Sequence, residues 1–295
     1  MPVVSVEGRR LTLSNLEKAV YPDGTTKGEV LHYYASNGAV LLPELRDRPL
    51  SLLRYPDGPE GELFFTKRVP PGTPEWVTVH EVPRSGGGTM RQLVIGDLPA
   101  LVWVTNLVVE LHTPQWRVGT PGLADRLVFD LDPGEPATIV DCCEVAGWLR
   151  ERLAADGLTA YAKTSGSKGL HLLCPLRPVS SEAASGYAKA LALEAAAAMP
   201  RRVVAAMARR LRPGKVFIDH SQNAARKTTA TPYTLRARHA PMVSAPVTWD
   251  EVENCAEPRQ LDIRLGDMPA RLDAHGDLLA PLADPRQARP LPGSR

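Results

Sequence analysis

The chain has 295 residues, 43% of them apolar, which suits one large domain or two small ones around a substantial core. It has no run of 18 apolar residues, and its start, MPVVSVEGRRLTLSN, lacks the basic and apolar regions of a secretion signal, so a cytoplasmic protein with no membrane span is expected. The net charge of +2 does not announce nucleic acid, but it is unevenly spread: residues 201–238 hold ten Arg or Lys against Asp219 alone, while residues 250–284 hold nine acids against three Arg.

A helix-start signal, Thr25-Thr26-Lys27-Gly28-Glu29, precedes VLHYYASNGAVLLPEL, whose spacing predicts one amphipathic helix ending before Arg46. RPLSLLRYP and GELFFTKRV read as strands around a Pro56-Asp57-Gly58 turn, and residues 85–89 as an exposed glycine loop. DLPALVWVTNLVVEL reads as a buried apolar helix, with Asn106, Glu110 and His112 around its end. From Arg126 onward strand and helix alternate: RLVFDLD, DCCEVAGWLRERL, TAYAKT, a SGSKG turn, LHLLCPL, two Ala-rich helices parted near Pro200, then KVFID. This order predicts an α/β (α+β) chain with a mixed sheet. Cys142, Cys143, Cys174 and Cys255 lack zinc-binding spacing and read as reduced core thiols.

The strongest chemical signal is Arg126-Leu-Val-Phe-Asp130-Leu-Asp132-Pro-Gly134. Residues two apart on a strand share a face, so Asp130 and Asp132 project together while Phe129 and Leu131 point the other way. Two carboxylates forced together at the end of an apolar strand need a cation, an Arg or a shared proton. KVFID closes on Asp219, which reaches the pair if the two strands are neighbours. Three carboxylates of this kind hold two Mg²⁺ or Mn²⁺ ions for phosphoryl transfer. Alone, the Asp-x-Asp pair equally suits a capped turn or a calcium loop, although no EF-hand ligand series follows.

Thr164-Ser165-Gly-Ser-Lys168-Gly-Leu-His171 joins glycines, hydroxyls, a Lys and a His, a composition able to cradle a triphosphate or to form an ordinary glycine turn. It is no Walker A loop, because Lys168 leads into a strand. Arg236 is a candidate triphosphate clamp. Lys18, Lys27, Arg54 and Lys67 accompany Phe64 and Phe65, the pairing of cations and rings that holds single-stranded nucleic acid; at least one of the two Phe is expected to face the core.

Together these motifs, from Leu13-Ser-Asn-Leu-Glu-Lys18 through Glu110-Leu-His112 and Asp130-Leu-Asp132 to Pro232-Tyr-Thr-Leu-Arg236, resemble the polymerase domain of bacterial ligase D. That is a branch of the archaeo-eukaryotic primase superfamily used in non-homologous end joining. The resemblance implies a primase-type mixed-sheet core with helices packed on the sheets. It implies Asp130, Asp132 and Asp219 as catalytic metal ligands, and His112, Ser165, Lys168, His171 and Arg236 on the incoming NTP or dNTP. Gln222 stands where some relatives carry an Arg nucleotide contact. Lys18 and Lys27 are implied for the 5′-phosphate of a DNA gap, with Phe64 or Phe65 stacking on a base; Arg54, read from the residues beside the rings, joins them as a candidate DNA contact. Ku, Mn²⁺ use and a nucleoid-associated setting also follow from the resemblance alone.

Residues 1–284 are expected to form one catalytic domain, with an amino-terminal subregion to about 120 and a metal-site core beyond it. Residues 285–295 are expected to form a disordered tail. The family region fills the chain, so a monomeric stand-alone polymerase served by a separate DNA ligase is expected. Two other readings stay open: a two-metal phosphodiesterase or nuclease using the same carboxylates, and a non-catalytic nucleic-acid-binding module.

Overall fold

The computed structural model describes residues 2–84 and 86–293; Ser85 of the expected glycine loop and the last two residues of the expected tail lie outside that range. Two sheets organise the chain. The larger runs, in spatial order, Val203–Val204, Val216–Asp219, Leu123–Pro133, Leu170–Ser180, Tyr161–Thr164 and Pro246–Val247. Its first pair is parallel and the rest antiparallel, which makes it the mixed sheet expected. The smaller is antiparallel: Thr229–Ala230, Val109–Thr113, Ser51–Arg54 and Phe64–Thr66.

Leu123–Pro133 lies deep in the larger sheet because its apolar residues are needed on both faces: Leu127, Val128, Phe129 and Leu131 are all fully buried. Helix Ile139–Ala155 starts at a Thr138–Asp141 capping box and buries Cys142, Val145, Ala146, Leu149 and Leu153, a stripe at helical spacing. Helix Ser181–Ala198 buries Ala184, Ala188, Leu191, Ala192 and Ala195 in the same way. All four cysteines are free and buried.

Four expectations are corrected. The single helix after Thr26 is two, Lys27–Ser36 and Gly38–Leu45, with the Asn37 side chain bonded back to the Tyr33 carbonyl at 2.8 Å where they part. The apolar run 97–111 is helical only over Leu98–Thr105; Val108, at φ +56°, turns the chain into strand Val109–Thr113, which carries Glu110 and His112. A run apolar on every face has no period to read. Past Pro200 there is no second Ala-rich helix: β-branched Val203 and Val204 pair with Val216 and Phe217, and a short 3-10 turn follows at Arg209–Leu211. Residues 285–293 are not a free tail, since Arg289 bridges to Leu176 and Leu291 is buried in the core.

Long-range polar ties hold the amino-terminal helices to the rest. The Tyr33 hydroxyl donates to the Tyr233 carbonyl at 2.7 Å, and the buried Tyr34 hydroxyl accepts from Leu235 N–H at 3.0 Å beside Thr234 Oγ1. Glu44 and Arg126, both buried, pair at 2.8 Å.

Candidate active site

Strand pairing assembles the acidic residues. Asp130 lies directly opposite His171 on one neighbouring strand and Asp219 on the other. Asp130 and Asp132 are part-exposed between fully buried Phe129 and Leu131, the alternation the sequence predicts. His171 Nε2 lies 3.1 Å from Asp130 Oδ1, so that nitrogen carries the proton and donates it; Nδ1 is buried and unpartnered among the described residues. Burial, with Lys163 nearby, lowers the His171 pKa and keeps the ring neutral. Asp132 is pushed up to about 6 by burial and by Asp130 and Asp219, against the pull of Lys168.

The Asp219 carboxylate is turned aside. Its Oδ1 accepts from the Ser221 amide at 3.0 Å and hydroxyl at 2.6 Å, and its Oδ2 from Gln222 Nε2 at 2.9 Å. Among the described residues no three acidic, His or Cys side chains converge as a ready-made metal cage. The donors nonetheless fit a hard divalent cation: they are carboxylate oxygens, and the mutual repulsion that raises Asp132 is what such a charge relieves. Asp219 would join by giving up its Ser221 and Gln222 bonds.

A cavity of about 220 Å³ opens beside Asp130 and Asp132 and is also lined by His112, Ser165, Lys168, His171, Gln222 and Arg236. Asp219 is not among its walls. Glu110, deeply buried, ties two of these groups together: Oε2 accepts from His112 Nε2 and from Arg236 Nε, each at 2.9 Å, and Oε1 accepts from Ala237 N–H at 2.6 Å. Burial opposes its ionisation, but the bond from His112, the Arg236 charge and the Ala237 amide prevail and hold it down to about 2. Arg236 also donates to the Ser165 carbonyl.

Ser165 Oγ accepts from the Ser167 and Gly169 amides, so its hydroxyl oxygen shapes the turn. Gly166 has φ +66°, and a Cβ there would lie 2.6 Å from Arg236 Cγ and 2.9 Å from the Ser244 nitrogen. The turn is therefore closed tightly against Arg236 and strand Met242–Val243, and no larger residue fits without displacement.

Lys163 has no signal in the sequence, while Glu110 and Arg238 stand there beside His112 and Arg236 without a role of their own. Lys163, fully buried opposite His171, donates to Ser244 Oγ at 2.5 Å, and burial drives its pKa far down. Arg238 lines the cavity. The Glu110-x-His112 alternation on a strand was the one available signal for Glu110.

The residues expected along DNA lie outside this cavity. Lys18 and Lys27 are neighbours, with Lys27 N–H bonded to the Lys18 carbonyl. Lys18 Nζ contacts Asp57 at 2.7 Å, while Lys27, largely buried, donates to Ser14 Oγ at 3.0 Å. Arg54 pairs opposite Phe64. Phe64 and Phe65 are both exposed, 44% and 55%, which corrects the expectation that one faces the core; Phe65 rests edge-on to His112 at 6.4 Å.

A mixed sheet that gathers paired aspartates, a glycine turn and an Arg–Glu–His group around one cavity defines a phosphoryl-transfer enzyme, and the comparisons specify which kind. The family model described as LigD, primase-polymerase domain, matches residues 26–279. The non-homologous end joining protein LigD of Mycolicibacterium smegmatis is 44% identical over 278 residues, covering 92% of this chain and 36% of that protein. LigD of Pseudomonas aeruginosa is 36% identical over 276 residues, 89% of this chain and 31% of its own length. A solved polymerase domain from Mycobacterium tuberculosis Ligase D, in complex with DNA, superposes with a TM-score of 0.87 at 41% identity, covering 93% of this chain and 98% of that one. The chain is a metal-dependent, primase-type nucleotidyltransferase. It belongs to the LigD primase-polymerase domain family. It spans little more than a third of the length of the curated mycobacterial relatives it matches.

Proposed function

We propose that the chain extends the 3′-hydroxyl of a DNA strand on a template, at a gap or broken end, with NTPs or dNTPs. One observation carries this reading: Asp130 and Asp132 share a cavity with Lys168, His171 and Arg236, an acidic pair beside cationic and imidazole groups suited to a triphosphate. In this reading Asp130, Asp132 and Asp219 hold two Mg²⁺ or Mn²⁺ ions, which when bound supply activation of the attacking hydroxyl and charge relief for departing pyrophosphate. Lys168 and Arg236 balance the triphosphate, with Arg236 aimed by Glu110. A phosphate oxygen near the free Nδ1 of His171 favours its protonation and so gains a donor. Ser165 orders the turn, His112 and Gln222 flank the nucleotide, and Lys18 and Lys27 take the 5′-phosphate beyond the gap. Arg54, Phe64 and Phe65 meet the template.

The proposed setting is end joining, the process for which the matched relatives are named. Ku and a DNA ligase, implied by the resemblance, are its proposed partners. Among the described residues no helix is long and apolar enough to cross a membrane; we place the protein in the cytoplasm, at the nucleoid, as a monomer.

The test offers the purified chain a gapped duplex with a recessed 3′-hydroxyl, a downstream 5′-phosphate, Mn²⁺ or Mg²⁺, and either nucleotide type. Primer extension by the wild type, lost in Asp130→Ala and Asp219→Ala, is expected. Undiminished extension by either variant overturns the metal-ligand assignment, and primer shortening without nucleotide points to a nuclease.

A further inference from the structure

A second cavity, of about 170 Å³, opens where the hairpin of strands Val79–Pro83 and Thr89–Leu93 joins the smaller sheet through the Leu50–Leu93 bridge. It shares the wall residue Thr228 with the catalytic cavity. Ser51 and Gln92 line it with polar side chains, Met90 and Trp116 with apolar ones, and Lys67 and Arg226 with cations. Ser51, Gln92 and Trp116 are more than nine-tenths buried.

Three features give the cavity the character of a ligand site. The Ser51 hydroxyl has no hydrogen-bond partner among the described residues, and a buried polar group in that state costs stability unless something binds it. The walls are braced: the Trp116 indole N–H donates to the Ala225 carbonyl at 2.8 Å, and Lys67 Nζ donates to the Arg226 carbonyl at 2.7 Å. The size is well below the several hundred Å³ of pockets that enclose drug-sized molecules, and suits one planar ring system. Hydroxyl and amide groups beside apolar walls match a nucleobase, with its donor–acceptor edge and flat faces. Cations at the same opening match the phosphate attached to it. A paired base has its edge occupied, so only an unpaired nucleotide suits.

We propose that this cavity receives the base of one unpaired nucleotide of the bound DNA, adjoining the catalytic cavity. Ser51 and the Gln92 amide bond its edge, Met90 and Trp116 contact its ring, and Lys67 and Arg226 hold its phosphate. This rests on the polymerase reading for the identity of the ligand as DNA. It adds a second anchoring point, so that the strand is gripped by base as well as by backbone.

The experiment measures equilibrium binding of the full chain to a gapped duplex whose unpaired template nucleotides are replaced one at a time by an abasic site. At one position the abasic substitution is expected to weaken binding by wild type and by Phe64→Ala on the order of tenfold. At that same position it should have no effect in Ser51→Ala/Gln92→Ala. The proposal is overturned if no position shows a penalty that depends on this residue pair, as a cavity holding only solvent would give. The wild type alone supplies a second measurement. With 2-aminopurine scanned through the gap, one position should be shielded from acrylamide quenching, in Phe64→Ala also; equal quenching at every position overturns the proposal. Primer extension run in parallel separates the two readings. Extension without a pocket-dependent position sinks the cavity proposal alone, and a pocket-dependent position without extension sinks the polymerase reading alone.

Discussion

Asp219 stands directly across from Asp130 in antiparallel register, and its carboxylate accepts hydrogen bonds from Ser221 and Gln222. The acidic residues are thus brought together by backbone pairing while their charges remain partly unsettled. Asp132 bears the consequence, with its pKa raised to about 6.

A raised carboxyl pKa costs stability once the group ionises. The unfolded chain releases this proton near 3.8 and the folded chain near 6, so stability falls as pH rises through that window and stays reduced above it. With metal removed by chelator, Asp132→Asn should therefore be more stable than wild type by about 1–3 kcal/mol at pH 8, and by almost nothing near pH 4. Thermal melts at the two pH values check this; equal gains at both would refute it. With metal and nucleotide the same variant should lose extension by at least about a hundredfold.

Glu110 has the opposite sign. Its folded pKa of about 2 lies below the ordinary 4.5, so its contribution is complete above pH 4.5 and is lost as pH falls toward 2. Glu110→Gln should cost roughly 2–3 kcal/mol at pH 7, a deficit that shrinks through that window. It should also raise the nucleotide KM more than it lowers kcat, because Arg236 loses its guide. An unchanged KM would detach Glu110 from nucleotide binding.

Gly166→Ala forces a side chain into a left-handed backbone already pressed against Arg236 and Ser244. The expected cost is about 1–3 kcal/mol, together with weaker nucleotide binding. A variant as stable and active as wild type would show that the turn has room.

Exposed Phe64 and Phe65 contribute little to folding, so replacing either with Ala should leave the melting temperature within about 2 °C. Affinity for DNA with an unpaired template should nonetheless drop about tenfold. A fall in stability with unchanged DNA affinity would assign the rings to packing instead.

Lys27→Ala should weaken binding to a gapped duplex carrying the downstream 5′-phosphate by about tenfold, and scarcely affect the same duplex without it. Equal loss on both substrates would remove Lys27 from phosphate recognition.

The Asp130–Asp132 face was legible because strand period alone determines it, and the Thr26–Glu29 start follows from local capping chemistry. The role of Glu110 was not legible, because its partner Arg236 lies 126 residues away and only sheet pairing unites them. Nor could spacing reveal Lys163, whose strand lies between Leu170–Ser180 and Pro246–Val247. Residues 201–211 misled because Ala and Arg favour helix everywhere, whereas two valines had an open strand edge to join. The resemblance to ligase D polymerases filled part of this gap by naming groups that no local pattern could join.

The bonds from Tyr33 to Tyr233 and from Tyr34 to Thr234 and Leu235 bear on how the chain folds during synthesis. The Tyr34 hydroxyl already has the Val109 carbonyl within reach at 3.4 Å, but the Tyr33 hydroxyl, and Tyr34's bonds to Thr234 and Leu235, wait until the ribosome has made residues 233–235. A nascent chain released earlier could pack this helix on Leu98–Thr105 but would leave the Tyr33 hydroxyl without its partner. The polar ties that lock the first helix thus come from the far end of the chain, and translation arrested before Tyr233 should yield chains that chaperones retain and proteases clear.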